Sequence, residues 1–353
     1  MSVRHLSATV LPEGDDVRDL WVVDDRLTFE SQPDAEELAP AGGFVLPGLV
    51  DCHSHPSMDF SGRNLPFGDT ELVAANLRDH LRAGELLIRE IGSAVHSWSV
   101  PEGTEMPRIQ RSGRFLAPRD RYFPILDGYT EPNEAVTVAI AQVESGVRWV
   151  KLIADWPGQG GFTLNYPPEV LAAVVAAVHE RNARVSVHAP SAIGARAAVE
   201  AGVDSVEHGN MTSADVLATM AERGTALIPT VAFIEGFAVQ AAGTPMGDAM
   251  AEALANTRSL LVTAARLGVP VLAGTDALPF GSVPLEIDAL VRHGLQPATA
   301  LAAATTAARA FLGEPGLDEG APADLLVYRH DPREDPALLR SPEIVMFGGR
   351  RVR

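Results

Sequence analysis

The chain has 353 residues, 46% of them hydrophobic, which suffices for the core of one large α/β barrel with a small appendage. Its 28 basic and 46 acidic residues give a net charge of −18, which argues against nucleic acid or an anionic membrane as a partner. The single cysteine, Cys52, excludes an intramolecular disulfide. Because residues 1–20 contain acids and no apolar run, and no apolar stretch is long enough to span a membrane, we expect a soluble, cytoplasmic protein.

Both ends of the chain carry short strand patterns. Apolar and β-branched residues predict strands at 19–23 and 26–29 near the N-terminus. Similar patterns occur at 323–328 and 343–352 near the C-terminus. We therefore predict a small β-sandwich domain built from residues 1–46 and 314–353.

The middle of the chain, residues 47–313, alternates between strand and helix patterns. The predicted strands are 44–53, 87–91, 108–116, 147–154, 184–188, 203–208, 225–231 and 270–275. The predicted helices are 70–83, 133–144, 167–181, 191–201, 212–223, 246–267, 284–293 and 297–312. This alternation predicts a catalytic (β/α)8 TIM barrel. The Gly/Pro-rich segments 56–68, 156–161, 235–247 and 277–283 follow strands, so we expect them to form loops at the face where barrel enzymes carry their active sites.

Lys151 is the only lysine among the 28 basic residues, and it lies in a β-branched and aromatic run that predicts a buried strand. A guanidinium cannot lose its proton in a protein, whereas a buried lysine can. The neutral amine can add carbon dioxide to form a carbamate, whose two oxygens can bridge two metal ions. A lysine at a strand end whose amine reaches solvent is the alternative interpretation.

Metal-ligand side chains stand at the ends of other predicted strands. His53 and His55 are two residues apart, so their side chains point the same way from the first strand. His188 and His208 end the fifth and sixth strands, and Asp276 follows the eighth. Because the carboxyl ends of barrel strands meet at one face, this distribution predicts a metal centre there.

These residues resemble the pattern of the amidohydrolase superfamily, in members whose two metals are bridged by a carboxylated lysine. The matched residues are His53, His55, Lys151, His188, His208 and Asp276. The flanking strings FVLPGLVDCH (44–53), SVEHG (205–209), IPT (228–230) and APADLLV (321–327) also resemble that superfamily. The resemblance covers nearly the whole chain and is closest to the imidazolonepropionase-like branch that includes Xaa-Pro dipeptidases.

The resemblance implies that His53, His55 and Asp276 hold one metal ion. His188 and His208 would hold a second, with the carbamate on the lysine bridging the two. Zinc suits such a site, although manganese and iron also accept these ligands. A hydroxide between the ions would attack the scissile carbonyl, and Asp276 would carry its proton to the leaving nitrogen.

The implied activity is hydrolysis of an amide or other C–N bond in a small molecule, dipeptide-like or a cyclic amide. Hydrolysis of a lactone or phosphoester at the same site is an alternative, and a non-catalytic barrel scaffold is a third interpretation. Deamination is less favoured, because Ala189 and Pro190 follow the fifth strand where such relatives place an acid. A homodimer is the expected assembly.

Four residues are candidates for substrate contacts: His96, Tyr129, Trp156 and Phe162. A structural role for His96 and a solvated loop around Tyr129 are the alternative interpretations. Trp156 and Phe162 lie in the segment ADWPGQGGF (154–162), where relatives tend to have a Ser-Gly-Gly type of sequence. This difference indicates that substrate specificity is not simply shared with those relatives.

Overall fold

The chain forms an α/β fold in which strands and helices alternate through the middle of the sequence. The computed structural model describes residues 2–39, 41–59, 66–95, 97–126, 128–158 and 160–353. The strands are β1 Val3–Val10, β2 Val17–Val23, β3 Arg26–Thr28, β4 Glu36–Glu37, β5 Gly43–Pro47, β6 Leu49–Ser54, β7 Glu85–Glu90, β8 Arg108–Arg111, β9 Trp149–Ile153, β10 Asp155–Gly158, β11 Gly161–Leu164, β12 Arg184–His188, β13 Ser205–Glu207, β14 Ala226–Ile228, β15 Leu325–Tyr328, β16 Ile344–Phe347 and β17 Arg350–Arg351. The helices are α1 Thr70–Ala83, α2 Ala135–Glu144, α3 Pro168–His179, α4 Ala192–Ala201, α5 Ala214–Arg223, α6 Val231–Gln240, α7 Pro245–Leu267, α8 Val283–Arg292, α9 Pro297–Ala302 and α10 Thr306–Leu312, with a 3-10 helix at Pro336–Arg340.

The two ends of the chain share one eight-stranded sheet, in the order β17-β16-β15-β5-β1-β2-β3 with β4 beside β1. Strand β5 joins the two ends, because it pairs with β1 in parallel and with β15 antiparallel. Apolar side chains from both ends, among them Leu6, Leu20, Val327 and Met346, pack into one core. The described strands of this region belong to a single sheet, so the predicted two-sheet sandwich is not confirmed.

Gly48 marks the passage from this terminal sheet to the middle of the chain. The sequence predicts one strand over 44–53, whereas the structure has β5 and then β6. A Cβ atom on Gly48 would lie 2.5 Å from the side chain of Leu86, so only a glycine lets the backbone cross here without moving Leu86. The prediction of one continuous strand was wrong, because the residues on both sides of Gly48 are equally apolar and the pattern shows no break between them.

The middle of the chain contains two parallel sheets, β6-β7-β8 and β14-β13-β12-β9. Isolated parallel bridges connect them on both sides. These bridges pair Leu116 with Leu152, Leu227 with Val271, and Ser54 with Asp276. The α/β class is therefore confirmed, and the carboxyl ends of β6, β9, β12 and β13 lie on the same side of their sheets.

Helix ends follow local capping chemistry. The Asp69 carboxylate accepts a hydrogen bond from Leu72 N at the start of α1, and Ser191 does the same for Gly194 N at the start of α4. The predicted helix over 297–312 is instead α9 and α10, separated near Thr305, whose hydroxyl donates to Leu301 O at 2.7 Å. The sequence could not show this break because the Ala-rich segment favours helix throughout.

Two predicted loops are ordered elements. Residues 156–158 belong to β10 and residue 161 to β11, and these two strands pair antiparallel. Most of residues 235–247 lie in α6 and the first turn of α7. The predicted strand over 225–231 is only β14, because Thr230 adopts a left-handed backbone with φ of 49° and α6 begins immediately after it.

Candidate active site

The four histidines at the strand ends lie side by side. The ring centroids of His53 and His55 are 5.1 Å apart, and those of His53 and His208 are 5.2 Å apart. His188 and His208 are separated by 4.6 Å. Asp276 joins them, since its Oδ1 lies 3.5 Å from His55 Nε2 and 3.7 Å from His53 Nε2. Residues far apart in the sequence therefore converge at the carboxyl ends of parallel strands.

Lys151 lies on β9 and is 1% exposed. Burial lowers the pKa values of His53, His188 and His208, and the positive charge of the nearby Lys151 amine lowers them further. Among the described residues, no group is hydrogen-bonded to Lys151 Nζ. Burial lowers the pKa of Lys151 from 10.5 to about 8. A buried amine without a partner is costly as a cation, so the neutral form is favoured here more than in water.

Three residues at the strand ends have a left-handed backbone that is uncommon for residues with side chains. They are His208 at φ 67°, Thr230 at φ 49° and Asp276 at φ 55°. For the β-branched Thr230 this conformation is a genuine outlier. Two of the three are candidate ligands and the third is hydrogen-bonded to one of them, so part of the backbone strain lies at the candidate site.

Hydrogen bonds fix the orientation of three of the imidazole rings. The Nδ1 atoms of His53, His55 and His208 are each bound to a neighbouring oxygen. In that order the partners are Glu207 Oε2 at 2.7 Å, Gly92 O at 2.8 Å and Thr230 Oγ1 at 2.8 Å. Burial lowers the pKa of His53 to about 3 and that of His208 to about 4, so both rings are neutral near pH 7. Each Nε2 atom is thus available as a ligand.

Beneath the histidines lies a buried ion pair that the sequence analysis missed. Glu207 accepts hydrogen bonds from Arg89 Nη2 at 2.9 Å, Ser186 Oγ at 2.7 Å and Ser205 Oγ at 2.6 Å, in addition to His53. Burial would raise the pKa of Glu207, but the positive charges of Arg89 and Lys151 hold it well below its usual range. An arginine and a glutamate inside apolar strand patterns were the available signal for this pair.

Asp51 fixes the two strand ends that carry His53 and Asp276. Its carboxylate accepts hydrogen bonds from His53 N at 3.0 Å, Thr275 N at 3.1 Å and Thr275 Oγ1 at 2.6 Å. The end of β6, the strand that carries His53, is also held by His80, whose Nε2 lies 3.0 Å from Ser54 Oγ. These contacts set the relative position of the candidate ligands before any ion binds.

The donor set fits a divalent cation. Ligand atoms of His53, His55 and Asp276 all lie within 4.8 Å of one another. Burial opposes the ionised form of Asp276, but the neighbouring histidines hold its pKa well below the usual range, so this carboxylate is an anion. Imidazole nitrogens combined with a carboxylate are ligands that zinc and its first-row neighbours accept.

The four predicted substrate contacts are dispersed. The Trp156 ring lies 6.0 Å from the His188 ring. Phe162 pairs with Pro157 across the hairpin while Trp156 pairs with Thr163, so Phe162 is on the opposite face. Tyr129 lies under the Arg119 guanidinium at 4.4 Å, and no described contact joins it to the histidines. His96 lies outside the described residues.

The sequence analysis overlooked two aromatic residues beside the site, Tyr122 and Phe123. The Tyr122 ring lies 5.7 Å from the His188 ring and 5.0 Å from the Trp156 ring. Burial, with a smaller contribution from the Asp276 charge, raises the pKa of Tyr122, so its hydroxyl keeps its proton at neutral pH. Their position in an irregular loop gave no periodic signal from which to predict this placement.

Strand-end imidazoles, a carboxylate and a buried lysine on parallel strands are typical of hydrolases built on an α/β scaffold. The sequence model of the amidohydrolase family matches residues 44–352. The chain therefore belongs to the amidohydrolase family, and it is a hydrolase that acts on carbon–nitrogen bonds. None of the helices in the described part of the chain is long and apolar enough to cross a membrane.

Similar proteins cover almost the whole chain. An uncharacterised protein of Mycobacterium tuberculosis is 36% identical over 356 residues, covering 98% of this chain and 95% of that protein. Ochratoxinase of Aspergillus niger is 30% identical over 359 residues, covering 85% of this chain and 73% of the ochratoxinase.

Solved structures show the same fold. A Xaa-Pro dipeptidase with methionine bound in its active site superposes with a TM-score of 0.83 at 22% identity, covering 99% of both chains. The A. niger ochratoxinase structure superposes with a TM-score of 0.82 at 21% identity, over 99% of this chain and 95% of that one. These likenesses show that the chain shares the α/β fold of these two structures.

Proposed function

We propose that this protein is a binuclear metal-dependent amidohydrolase that cleaves an amide bond of a small, dipeptide-like or cyclic amide substrate. The observation that carries the proposal is the buried amine of Lys151, which has no hydrogen-bond partner among the described residues and lies near the histidine cluster. Carboxylation would convert this unfavourable cation into an anion that can bind metal. The ochratoxinase and dipeptidase relatives support an amide as the bond that is cleaved.

The site would lie at the mouth of a closed eight-stranded barrel. Three parallel bridges support closure, because they join Leu116 to Leu152, Leu227 to Val271, and Ser54 to Asp276. Together with the two parallel sheets, these bridges support a ring of eight strand segments. In this arrangement all the candidate ligands end at one rim of the barrel.

One ion would be held by His53, His55 and Asp276. The other would be held by His188 and His208, and the carbamate of Lys151 would bridge the two. When bound, the two ions supply an activated water for attack and polarise the scissile carbonyl.

The protein's own groups would orient and move the proton. Asp276 Oδ1 lies within 4 Å of the Nε2 atoms of His53 and His55, and Asp276 is itself partly exposed. As a carboxylate it can take a proton from the attacking water and deliver it to the leaving nitrogen. Glu207 holds the imidazole ring of His53, and Asp51 holds the end of the strand that carries His53, so both would fix the groups around this proton transfer.

The decisive experiment assays protein produced with zinc and bicarbonate against dipeptides, cyclic amides, lactones and phosphotriesters. We expect hydrolysis of amides and about two metal ions per chain. An Asp276→Asn variant should keep its fold and lose the activity, whereas His179→Gln, at a partly exposed position, should retain it. Turnover of lactones or phosphotriesters alone would replace the amide assignment. Less than about one ion per chain with no turnover would favour a non-catalytic scaffold.

A further inference from the structure

Three aromatic side chains, Tyr122, Phe123 and Trp156, form a cluster that we call the aromatic wall. The Phe123 and Trp156 ring centroids are 4.8 Å apart, with the planes nearly perpendicular at 79°. Tyr122 lies 5.2 Å from Phe123 and 5.0 Å from Trp156. Each ring therefore meets the other two at distances typical of favourable edge-to-face contact.

The aromatic wall contacts the candidate metal ligands. Tyr122 and Trp156 lie 5.7 Å and 6.0 Å from the His188 ring. Tyr122 also packs on Phe115 at 5.2 Å, and Phe115 in turn lies 5.4 Å from His55. A substrate held at the histidines would therefore lie beside these rings.

The wall stands on the accessible side of the site. His53, His55, His208 and Lys151 are buried, whereas His188 and Asp276 are partly exposed. Phe123, which contacts Tyr122 and Trp156, is 48% exposed and can therefore be reached by a molecule from solvent. Among the described residues, nothing is hydrogen-bonded to the Tyr122 hydroxyl, so it is available to a bound molecule.

The wall is held rigidly by a pair of reciprocal hydrogen bonds. Arg121 Nε donates to Asn165 Oδ1 at 2.8 Å, and Asn165 Nδ2 donates back to Arg121 O at 2.9 Å. Arg121 Nη2 also donates to Thr163 O at 2.9 Å on strand β11. These bonds join the loop that carries Tyr122 to the hairpin that carries Trp156, so the wall is pre-formed.

We infer that the aromatic wall is a subsite for an aromatic group next to the scissile amide, and that the Tyr122 hydroxyl hydrogen-bonds a polar atom beside that group. This inference rests on the proposed amide hydrolysis and narrows its substrate class. A wall that is accessible, rigid and adjacent to His188 can bind an aromatic ring through edge-to-face contact and burial of apolar area. Small aliphatic or acidic groups gain little from such a surface.

The test compares matched dipeptides in which one residue is phenylalanine or alanine, on either side of the amide bond, with the zinc-loaded enzyme. We expect kcat/KM to favour the phenylalanine substrate by about tenfold or more at one position, from burial of the ring. Phe123→Ala should remove most of this preference, and Tyr122→Phe should lower kcat/KM for the favoured substrate. Phe29→Ala is the matched control, because Phe29 is 44% exposed and follows strand β3 of the terminal sheet.

A second measurement separates this inference from the proposed function. Calorimetric titration with phenylalanine and alanine, products of such substrates, should show tighter binding of phenylalanine that is lost in Phe123→Ala. If no amide is cleaved but this binding difference holds, the subsite stands and the amidase proposal fails. Equal rates and equal binding for the two amino acids, or a preference that survives in Phe123→Ala, would overturn the subsite.

Discussion

Two cations are buried inside the parallel sheets, and their surroundings are opposite. Arg89 lies on β7 beneath the histidines and Lys151 lies on β9 near them, and both are at most 1% exposed. The Arg89 guanidinium donates to Cys52 O, Ser205 Oγ and Glu207 Oε1 at 2.7 to 2.9 Å, and it stacks on Trp149. The Lys151 amine has no hydrogen-bond partner among the described residues.

The contrast between the two surroundings suits the different chemistry of arginine and lysine. A guanidinium stays charged, so it is tolerated in the interior only where carboxylate and oxygen partners surround it, as they do around Arg89. A lysine can lose its proton, so an environment without partners favours the reactive neutral amine. We therefore expect the region around Arg89 to support the candidate site, and the amine of Lys151 to take part in its chemistry.

The largest expected effect comes from replacing Lys151 by arginine, the residue type found at position 89. Lys151→Arg cannot form a carbamate, so we expect loss of bound metal and a fall in kcat of at least about 10⁴-fold, comparable to removing a central catalytic group. Metal content per chain and steady-state kinetics measure this. The matched control is Arg148→Lys, the reverse exchange at a position that is 63% exposed, which should remain active. An active Lys151→Arg enzyme with full metal content would refute the carbamate.

The next effect concerns stability. Arg89→Met removes the partner of a buried carboxylate and should lower the free energy of unfolding by about 3–5 kcal/mol, because Glu207 is left buried and uncompensated. Urea unfolding of the metal-free protein measures the change. Arg148→Met should cost much less, since this side chain is largely exposed. If Arg89→Met costs no more than Arg148→Met, the supporting role of the Arg89 region is wrong.

The smallest expected effect is a pH dependence of carbamate formation at Lys151, which has no counterpart at Arg89. Burial lowers the pKa of Lys151 to about 8, so the neutral amine should increase about tenfold between about pH 7 and about pH 9. With dissolved carbon dioxide held constant, the initial rate of carbamate formation, followed with ¹³C-labelled bicarbonate, should rise accordingly. A rate independent of pH across this range would show that the amine is already neutral or inaccessible.

The lowered pKa of Lys151 also predicts the direction in which the free energy of unfolding changes with pH. The folded-state pKa of about 8 lies below the 10.5 of the unfolded chain, so the unfolded chain binds more protons between these values. The metal-free protein should therefore become more stable as the pH rises through this window, with respect to this group. Lys151→Met should lack that increment, whereas the Arg148→Met control should keep it.

Local patterns could predict much of this molecule because they report local physics. The two-residue spacing of His53 and His55 predicts a shared direction, and apolar runs ending in His188 or His208 predict strands that deliver them to one edge. The roles of these residues as metal ligands are predictions, which the metal content per chain tests. Local patterns failed at Gly48 and Thr230, where a close backbone approach and a left-handed residue end strands that composition alone would continue.

The α/β alternation, the family and the single lysine could be predicted from the chain alone, because each depends on neighbouring residues or on short motifs. The pairing of the buried charges and the rings around the candidate ligands could be found only in the folded molecule. Arg89 and Glu207 are 118 residues apart, and Tyr122 reaches Trp156 only because a loop and a hairpin are bonded together. Such pairings depend on the folding of distant segments onto one another, and no local periodicity carries that information.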